Sequence, residues 1–427
     1  MTLLLVNILK KKIPVGHRRA ISGVIRKSIR KWMLSTATGM LGLGIVIGEE
    51  LFDNSRKYRA YSFSSEESIV VDEPYNGVTE LPNLITNTSL ITRAIGTFTL
   101  KKPFVAEVEN AELVGSAAVG FDREGNLISE TVMPAITDIA RYLPNGIPPQ
   151  TLVLKNIPSF GSPQLDTACS LVNSWSKNYS HWILECLPRL EGLEYYREKT
   201  GRKPILIIDP NPPKWKIESL KLLGYDPNDC IPWNGAKIKV NRLIVPSFRR
   251  EEYFPISPAA CQWLRQRLLS NLPDVGSKEH SFSPRIYISR AEATGRQVTN
   301  EDDVLAALKP FGFVAYTPEN MSFADEVRLF SQAEIVVSPH GSGLANIVFA
   351  QNLKVIELFG SSGVPCFLVL AKALGFHYGC LTSDHNLRKN HHVDKYNGIV
   401  VNIPKLQVLV EEMLNLDSDR QPVNTVS

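Results

Sequence analysis

A chain of 427 residues with 44% hydrophobic and 21% charged residues has the composition of a globular protein of two or three domains, which excludes a low-complexity or collagen-like polymer. The net charge of +4 is uneven: residues 1–48 hold nine Lys/Arg and no acid, so removing those nine leaves −5 on the other 379 residues, and the body is not a basic nucleic-acid binder. Six cysteines (Cys169, Cys186, Cys230, Cys261, Cys366, Cys380) form no CxxC pair and predict buried free thiols in a reducing compartment rather than disulfides or a metal cluster.

In chain order, residues 1–50 are a basic and apolar extension whose uncharged run, 33–48, is short for a spanning helix, which needs about 20 apolar residues. Three readings stay open: a short signal-anchor with its positive flank in the cytoplasm, an interfacial basic helix over 10–32 on anionic lipid, or a structured extension. The expected location is cytoplasmic or membrane-associated, with peripheral membrane contact through residues 1–50 and the domains that follow in the cytoplasm. An N-terminal lobe spans 51–275. Its residues 68–135 are β-rich, with a hairpin corner at Glu124-Gly125-Asn126. From there helix and strand alternate: a helix over 179–199, a strand over 204–208, a helix over 215–223 and a strand over 242–245. Residues 276–283 are a polar linker. A second lobe, 284–405, repeats the alternation with strands at 285–290, 313–316, 335–337 and 355–358 and helices at 301–308 and 323–332. Residues 406–427 are a helix and a polar tail. The fold class is α/β, with two Rossmann-like lobes facing a cleft and ligands at the carboxyl ends of the strands.

Three segments carry chemistry. In 334–360 the apolar strand Ile335-Val336-Val337 runs into Ser338-Pro339-His340-Gly341-Ser342-Gly343, where two glycines allow close backbone approach. A short helix over 344–349 turns its unpaired N–H groups toward that loop, a place for an anionic group such as a phosphate. Glu357, the carboxylate of the next strand, needs a partner or a ligand hydroxyl if it is buried. Neither a Walker-type loop nor GxGxxG is present. In the second segment Arg290 and Arg296 flank a loop after a strand; guanidinium forks there suit a diphosphate, and two solvent-exposed loop charges are the alternative. In the third, His181 and Glu185 share a helix face with Arg189 one turn further. An imidazole beside a carboxylate can act as a general base; a surface ion-pair row, or a core histidine packed by Trp182, is the alternative. His391-His392-Val393-Asp394, with Asp384 and His385 nearby, reads as a surface loop rather than a metal site. Asp417-Ser418-Asp419 lies in the tail with no preceding strand.

Together NYSHWILECLPRL, YISRAEATGRQVTNEDDV and VVSPHGSGLANIVFAQNLKVIELF, in this order and spacing, resemble glycosyltransferase family 61, which includes capsular polysaccharide enzymes and O-linked N-acetylglucosaminyl- and xylosyltransferases. The resemblance covers residues 70–400 and is strongest over 281–360. It implies a GT-B architecture and an inverting, metal-independent transfer from a nucleotide sugar, usually a UDP-sugar, to a hydroxyl of a glycan or glycolipid acceptor. It also implies a place in capsular or cell-surface polysaccharide synthesis, with no cofactor beyond the donor. Carried onto this sequence, Arg290, Arg296, His340, Gly341, Ser342 and Gly343 line the diphosphate. Asn346 anchors the loop or touches the ligand, Glu357 accepts a hydrogen bond from the ribose, and Glu185 or His181 is the base. The alternatives are a sugar-nucleotide epimerase or hydrolase on the same fold, and a catalytically silent nucleotide-sugar-binding assembly subunit.

Overall fold

The structure is a computed structural model that describes residues 45–46, 50–51, 54, 57–72, 74–75, 94–132, 149–157, 164–250, 256–274, 281–293, 295–360, 364–383 and 398–416. The basic N-terminal stretch, most of the uncharged run, the His391–Asp394 segment with Asp384 and His385, and Asp417-Ser418-Asp419 lie outside these residues. Among the described residues no helix is long and apolar enough to cross a membrane.

Among the described residues the first sheet collects nine strands: β1 Ile45–Val46, β2 Arg59–Ser62, β3 Phe104–Val114, β4 Val119–Phe121, β5 Leu127–Ile128, β6 Gln164–Ser170, β7 Ile205–Ile208, β8 Ile231–Pro232 and β9 Lys237–Pro246. Their order is β1-β5-β4-β3-β9-β6-β7-β8, with β2 also on β3. Ile45 and Val46, within the uncharged N-terminal run, are therefore a buried strand of this sheet. β9 pairs antiparallel with β3 from Lys237↔Val114 to Pro246↔Val105, and parallel with β6 on its other side. The β-rich and α/β segments of the sequence thus share one sheet. The hairpin corner forms as expected: Asp122 accepts from the backbone N–H groups of Glu124 and Asn126 at 3.0 and 2.8 Å, and Gly125 takes φ 84°.

Helices α1 Pro149–Asn156, α2 Tyr179–His181, α3 Arg189–Thr200, α4 Lys214–Leu222 and α5 Pro258–Ser270 belong to this half. The single helix expected over 179–199 is broken. Between α2 and α3 the chain makes a π turn, Trp182–Cys186, in which the Leu187 N–H donates to the Trp182 carbonyl at 2.9 Å. Pro188 supplies the reason, since a proline has no N–H for the carbonyl four residues back and its ring would clash there.

The second sheet is parallel throughout: β10 Arg285–Ile288, β11 Val314–Tyr316, β12 Ile335–Pro339, β13 Lys354–Phe359 and β14 His377–Thr382, in the order β11-β10-β12-β13-β14. Every residue of β12 is buried, as its apolar, β-branched start requires of a strand covered on both faces. Helices α6 Glu301–Leu308, α7 Phe323–Gln332, α8 Cys366–Ala373 and α9 Ile403–Asn415 connect or follow these strands. α7 starts where the Ser322 hydroxyl oxygen accepts the Asp325 N–H at 3.1 Å.

One apolar cluster runs through both halves. It joins Trp182, Leu187 and Leu190 of the first to Phe323, Phe330, Leu344, Ile347 and Phe349 of the second. Each such fully buried large side chain contributes about 1.5–3 kcal/mol. The carboxyl ends of the second sheet and the Tyr179–Cys186 segment are held against each other by that core.

Candidate active site

The strand order of the second sheet reverses between β10 and β12: the chain moves outward from β10 to β11, returns to β12 and continues through β13 to β14. At such a reversal the loops leaving two neighbouring strands turn opposite ways and open a crevice at their carboxyl ends. The loop after β10 begins Ser289-Arg290 and the loop after β12 begins His340-Gly341. They meet there. A Cβ added to Gly341 would lie 2.9 Å from Cζ of Arg290, so the absence of a side chain lets the guanidinium rest on the backbone.

Arg290 donates to the Gly295 carbonyl at 3.1 Å, and among the described residues neither it nor Arg296 is within ion-pair distance of a carboxylate. Burial and the neighbouring Arg296 depress the affinity of Arg290 for its proton, with Glu319 opposing. An anion between the two guanidiniums would relieve that strain. Arg296 sits at φ 58°, a left-handed turn that brings the end of the loop back toward β10. The loop base is fixed by Glu301, which accepts from Tyr287 and Ser289 at 2.8 and 2.9 Å.

The helix expected over 344–349 is a 3₁₀ stretch that starts earlier, Ser342–Phe349. The Leu344 N–H donates to the Gly341 carbonyl at 3.0 Å, so the amides of Gly341, Ser342 and Gly343 precede the repeating pattern at the mouth of the crevice. A Cβ at Gly343 would meet nothing within 4 Å, which leaves open space over the backbone there.

His340 is buried with its ring stacked on Phe359 at 5.0 Å, and its Nδ1 lies 2.5 Å from Glu357 Oε1. Tyr378 donates to the other carboxylate oxygen at 2.5 Å, and burial together with Glu357 pushes that phenol well above its ordinary range. Glu357 is completely buried. Expected at the ribose, it is enclosed behind His340, whose ring orientation and tautomer it fixes, as a carboxylate behind an imidazole does.

Facing the glycine loop, Asn178 caps α2, its side-chain oxygen accepting from Ser180 N–H at 3.0 Å. The Ser342 hydroxyl reaches the same oxygen at 3.4 Å. His181 lies one turn along, tilted against Trp175 with ring centroids 5.3 Å apart, and its Nδ1 is 2.8 Å from Glu185 Oε1. Arg250 also donates to that oxygen. Burial pushes the Glu185 carboxyl up, but Arg250 and His181 outweigh it and hold the group below the usual carboxylate range. Glu185 is thus an ionised counter-charge with two partners, whereas His181 is part-exposed, with its Nε2 still to be used.

Arg189 does not continue the row. The π turn rotates it inward, where it donates to the carbonyls of Pro246, Ser170 and Glu130 at 3.1, 3.3 and 3.3 Å. Asn346 lies fully buried, bonded to Tyr179 and Glu326, away from the open loop. Arg250, Tyr378, Tyr179 and Glu326 were not singled out by sequence. Arg250 could have been, because it follows a strand end as Arg290 does. Glu326 interrupts the apolar face of α7, three residues after Phe323 and four before Phe330.

Residues 179–356 match the family model described as Glycosyltransferase 61. Over that span, about two fifths of the chain, the sequence is similar to glycosyltransferase family 61. The matched span opens on Tyr179 and closes one residue before Glu357, so it contains His181, Glu185, Arg290, Arg296, His340 and the glycine loop. Curated relatives are EGF domain-specific O-linked N-acetylglucosamine transferases. The mouse protein is 28% identical over 114 residues, 25% of this chain and 21% of the relative. The chicken protein is 26% identical over the same shares, and the Drosophila melanogaster protein 30% identical over 96 residues, 22% and 18% of the two chains. The match spans about a fifth of the length of these relatives.

Proposed function

We propose that this chain is an inverting, metal-independent glycosyltransferase of GT-B type that moves a sugar from a nucleotide sugar, a UDP-sugar, to a hydroxyl of a glycan or glycolipid acceptor. Its role is in capsular or cell-surface polysaccharide synthesis, with the catalytic lobes on the cytoplasmic side. The observation that carries the reading is the crevice between β10 and β12, where Arg290 lies on the Gly341 backbone and the His181–Glu185 pair stands opposite. His181 Nε2 takes the proton of the acceptor hydroxyl while Glu185, itself held by Arg250, holds the ring. The acceptor oxygen then forms its bond to the anomeric carbon as the bond from that carbon to the diphosphate oxygen breaks, and the bonding pair leaves with the diphosphate. Arg290, Arg296 and the amides of Gly341, Ser342 and Gly343 receive the charge that develops there. His340, braced by Glu357, faces the same group.

The relatives named above transfer N-acetylglucosamine, which makes UDP-N-acetylglucosamine the first donor to try. Calorimetry of the purified chain against UDP, GDP, CMP and their sugars, with and without EDTA, is expected to give EDTA-insensitive binding of one nucleotide class. Arg290→Ala is expected to keep the fold and lose turnover by about 100- to 1000-fold, the usual cost of one charge-stabilising donor. Binding of no nucleotide would remove the donor site from the second sheet. Donor consumption without acceptor would instead favour an epimerase or hydrolase, and nucleotide binding with no turnover a silent assembly subunit.

A further inference from the structure

Where the two halves meet below the crevice, Tyr179 of α2, Glu326 of α7 and Asn346 of the 3₁₀ stretch form a closed triangle. Tyr179 Oη lies 2.7 Å from Glu326 Oε2 and 2.7 Å from Asn346 Oδ1, and Asn346 Nδ2 lies 2.7 Å from the same Glu326 Oε2. Asn346 is 0% and Glu326 6% exposed, and the setting is aromatic: Trp215 packs edge-on against Tyr179 at 5.0 Å and Phe323 against Phe349 at 5.8 Å. Three contacts of that length each need a hydrogen between the heavy atoms. Tyr179 supplies one. The Asn346 amide supplies one, and turning it over only moves the gap to another edge. With an ionised Glu326, one edge would be two facing oxygen lone pairs in a buried site.

We infer that Glu326 is a neutral carboxylic acid whose proton completes this ring, and that it is a positioning residue for the transfer proposed above, fixing the segment that carries His181 against the stretch that begins at the glycine loop. The inference that it acts on the reaction rests on that proposed function; the protonation does not. The electrostatic surroundings agree. Burial pushes the Glu326 carboxyl up to about 7; the hydrogen bonds from Tyr179 and Asn346 pull it down, and Glu319 and Glu218 add to the rise. The neighbouring cations are engaged elsewhere: Lys214 with Glu218, Lys216 with Asp209, Arg328 with Asp325 and the Pro273 carbonyl, and Arg265 with the Ala350 carbonyl. His181, on the other side of Tyr179, is held by Glu185. The 3₁₀ stretch has no charged side chain.

The sign follows from the raised value. Glu326 binds its proton more tightly folded than unfolded, so the stability it allows is full below the ordinary value of 4.5 and is lost as pH rises to about 7. Glu326→Gln keeps shape and neutrality, and its amide can donate to Tyr179 and to a turned Asn346. The experiment measures the melting temperature of the full chain and of E326Q across pH, without substrate, alongside infrared spectra of both. The margin in favour of E326Q is expected to widen from pH 4.5 to about 7 and then level off, and a protonated-carboxyl carbonyl band present in the parent is expected to vanish in E326Q. A margin independent of pH with no such band would overturn the neutral acid. For positioning, the readout is the turnover ratio of E326Q to parent, expected to rise about tenfold by pH 8, one pH unit above a carboxyl at about 7. A flat ratio beside a widening stability margin would overturn the positioning role, and absence of transfer in both proteins at every pH would count against the proposed function and leave the ring standing.

Discussion

Glu185 and Glu326 are both carboxylates on buried helical surface, and their neighbours drive them in opposite directions. Glu185 receives His181 and Arg250 on one oxygen, which outweighs its burial; Glu326 has aromatic rings, neutral donors and two other acids. The linkage signs differ accordingly. The stability contributed by Glu185 is present above its ordinary value of 4.5 and is lost as pH falls through its lower folded value, whereas that of Glu326 is lost as pH rises from the same point. Glu185→Gln would remove the buried carboxylate that Arg250 and His181 share. A loss of about 3 kcal/mol at pH 7 is expected in urea unfolding, narrowing as pH is lowered below 4.5, where the parent also loses the charge. A loss that stays constant with pH would show that shape, not charge, holds the site. At this scale the sequence exposed the pairs His181–Glu185 and His340–Glu357 as suspects. For the first pair the carboxylate already reads as holding the ring; for Glu357, expected at the ribose, the orienting role was hidden, because it depends on which residues reach the acid.

Among the elements, the loop from Asn173 to Asn178 leads into α2 and so places His181. It is braced from below by α4: the buried Lys216 donates to the Ser176 carbonyl at 2.8 Å and to Asp209 at the end of β7, while the Ser176 hydroxyl donates to the other Asp209 oxygen at 3.1 Å. The ammonium also lies 4.2 Å from the ring centroid of Trp182. Lys216→Met would strip Asp209 of its charge partner, and a loss of about 3–5 kcal/mol is expected from chemical denaturation. Ser176→Ala, which removes one hydroxyl, is expected to cost about 1 kcal/mol. Equal losses in the two variants would remove the ion pair from its bracing role. Periodicity found most of these elements, including four of the five strands of the second sheet and α7, but not β14 at His377–Thr382. It missed the π turn at 182–186 because the apolar pattern of WILEC is also compatible with an α-helix; Pro188 was the local sign that the pattern had to give.

Across the whole molecule, one core cluster draws side chains from both sheets, and the Tyr179–Glu326–Asn346 triangle and the Ser342–Asn178 contact cross the same boundary. The two halves should therefore unfold together. A single transition, coincident by far-ultraviolet circular dichroism and tryptophan fluorescence, is expected in urea; two separated transitions would show that the shared core does not couple them. The sequence by itself determined the α/β alternation, the buried strands, the glycine loop and the arginines beyond a strand end, because each rests on local rules of period, turn chemistry and charge. Only the tertiary structure decided the strand order that sets the Arg290 loop beside Gly341, the sharing of one sheet by the β-rich and α/β segments, and the roles of Arg250, Tyr378 and Glu326. Those depend on contacts between residues 20 to 147 positions apart or on partners packed around a side chain, and no local pattern records which distant group will share a buried oxygen.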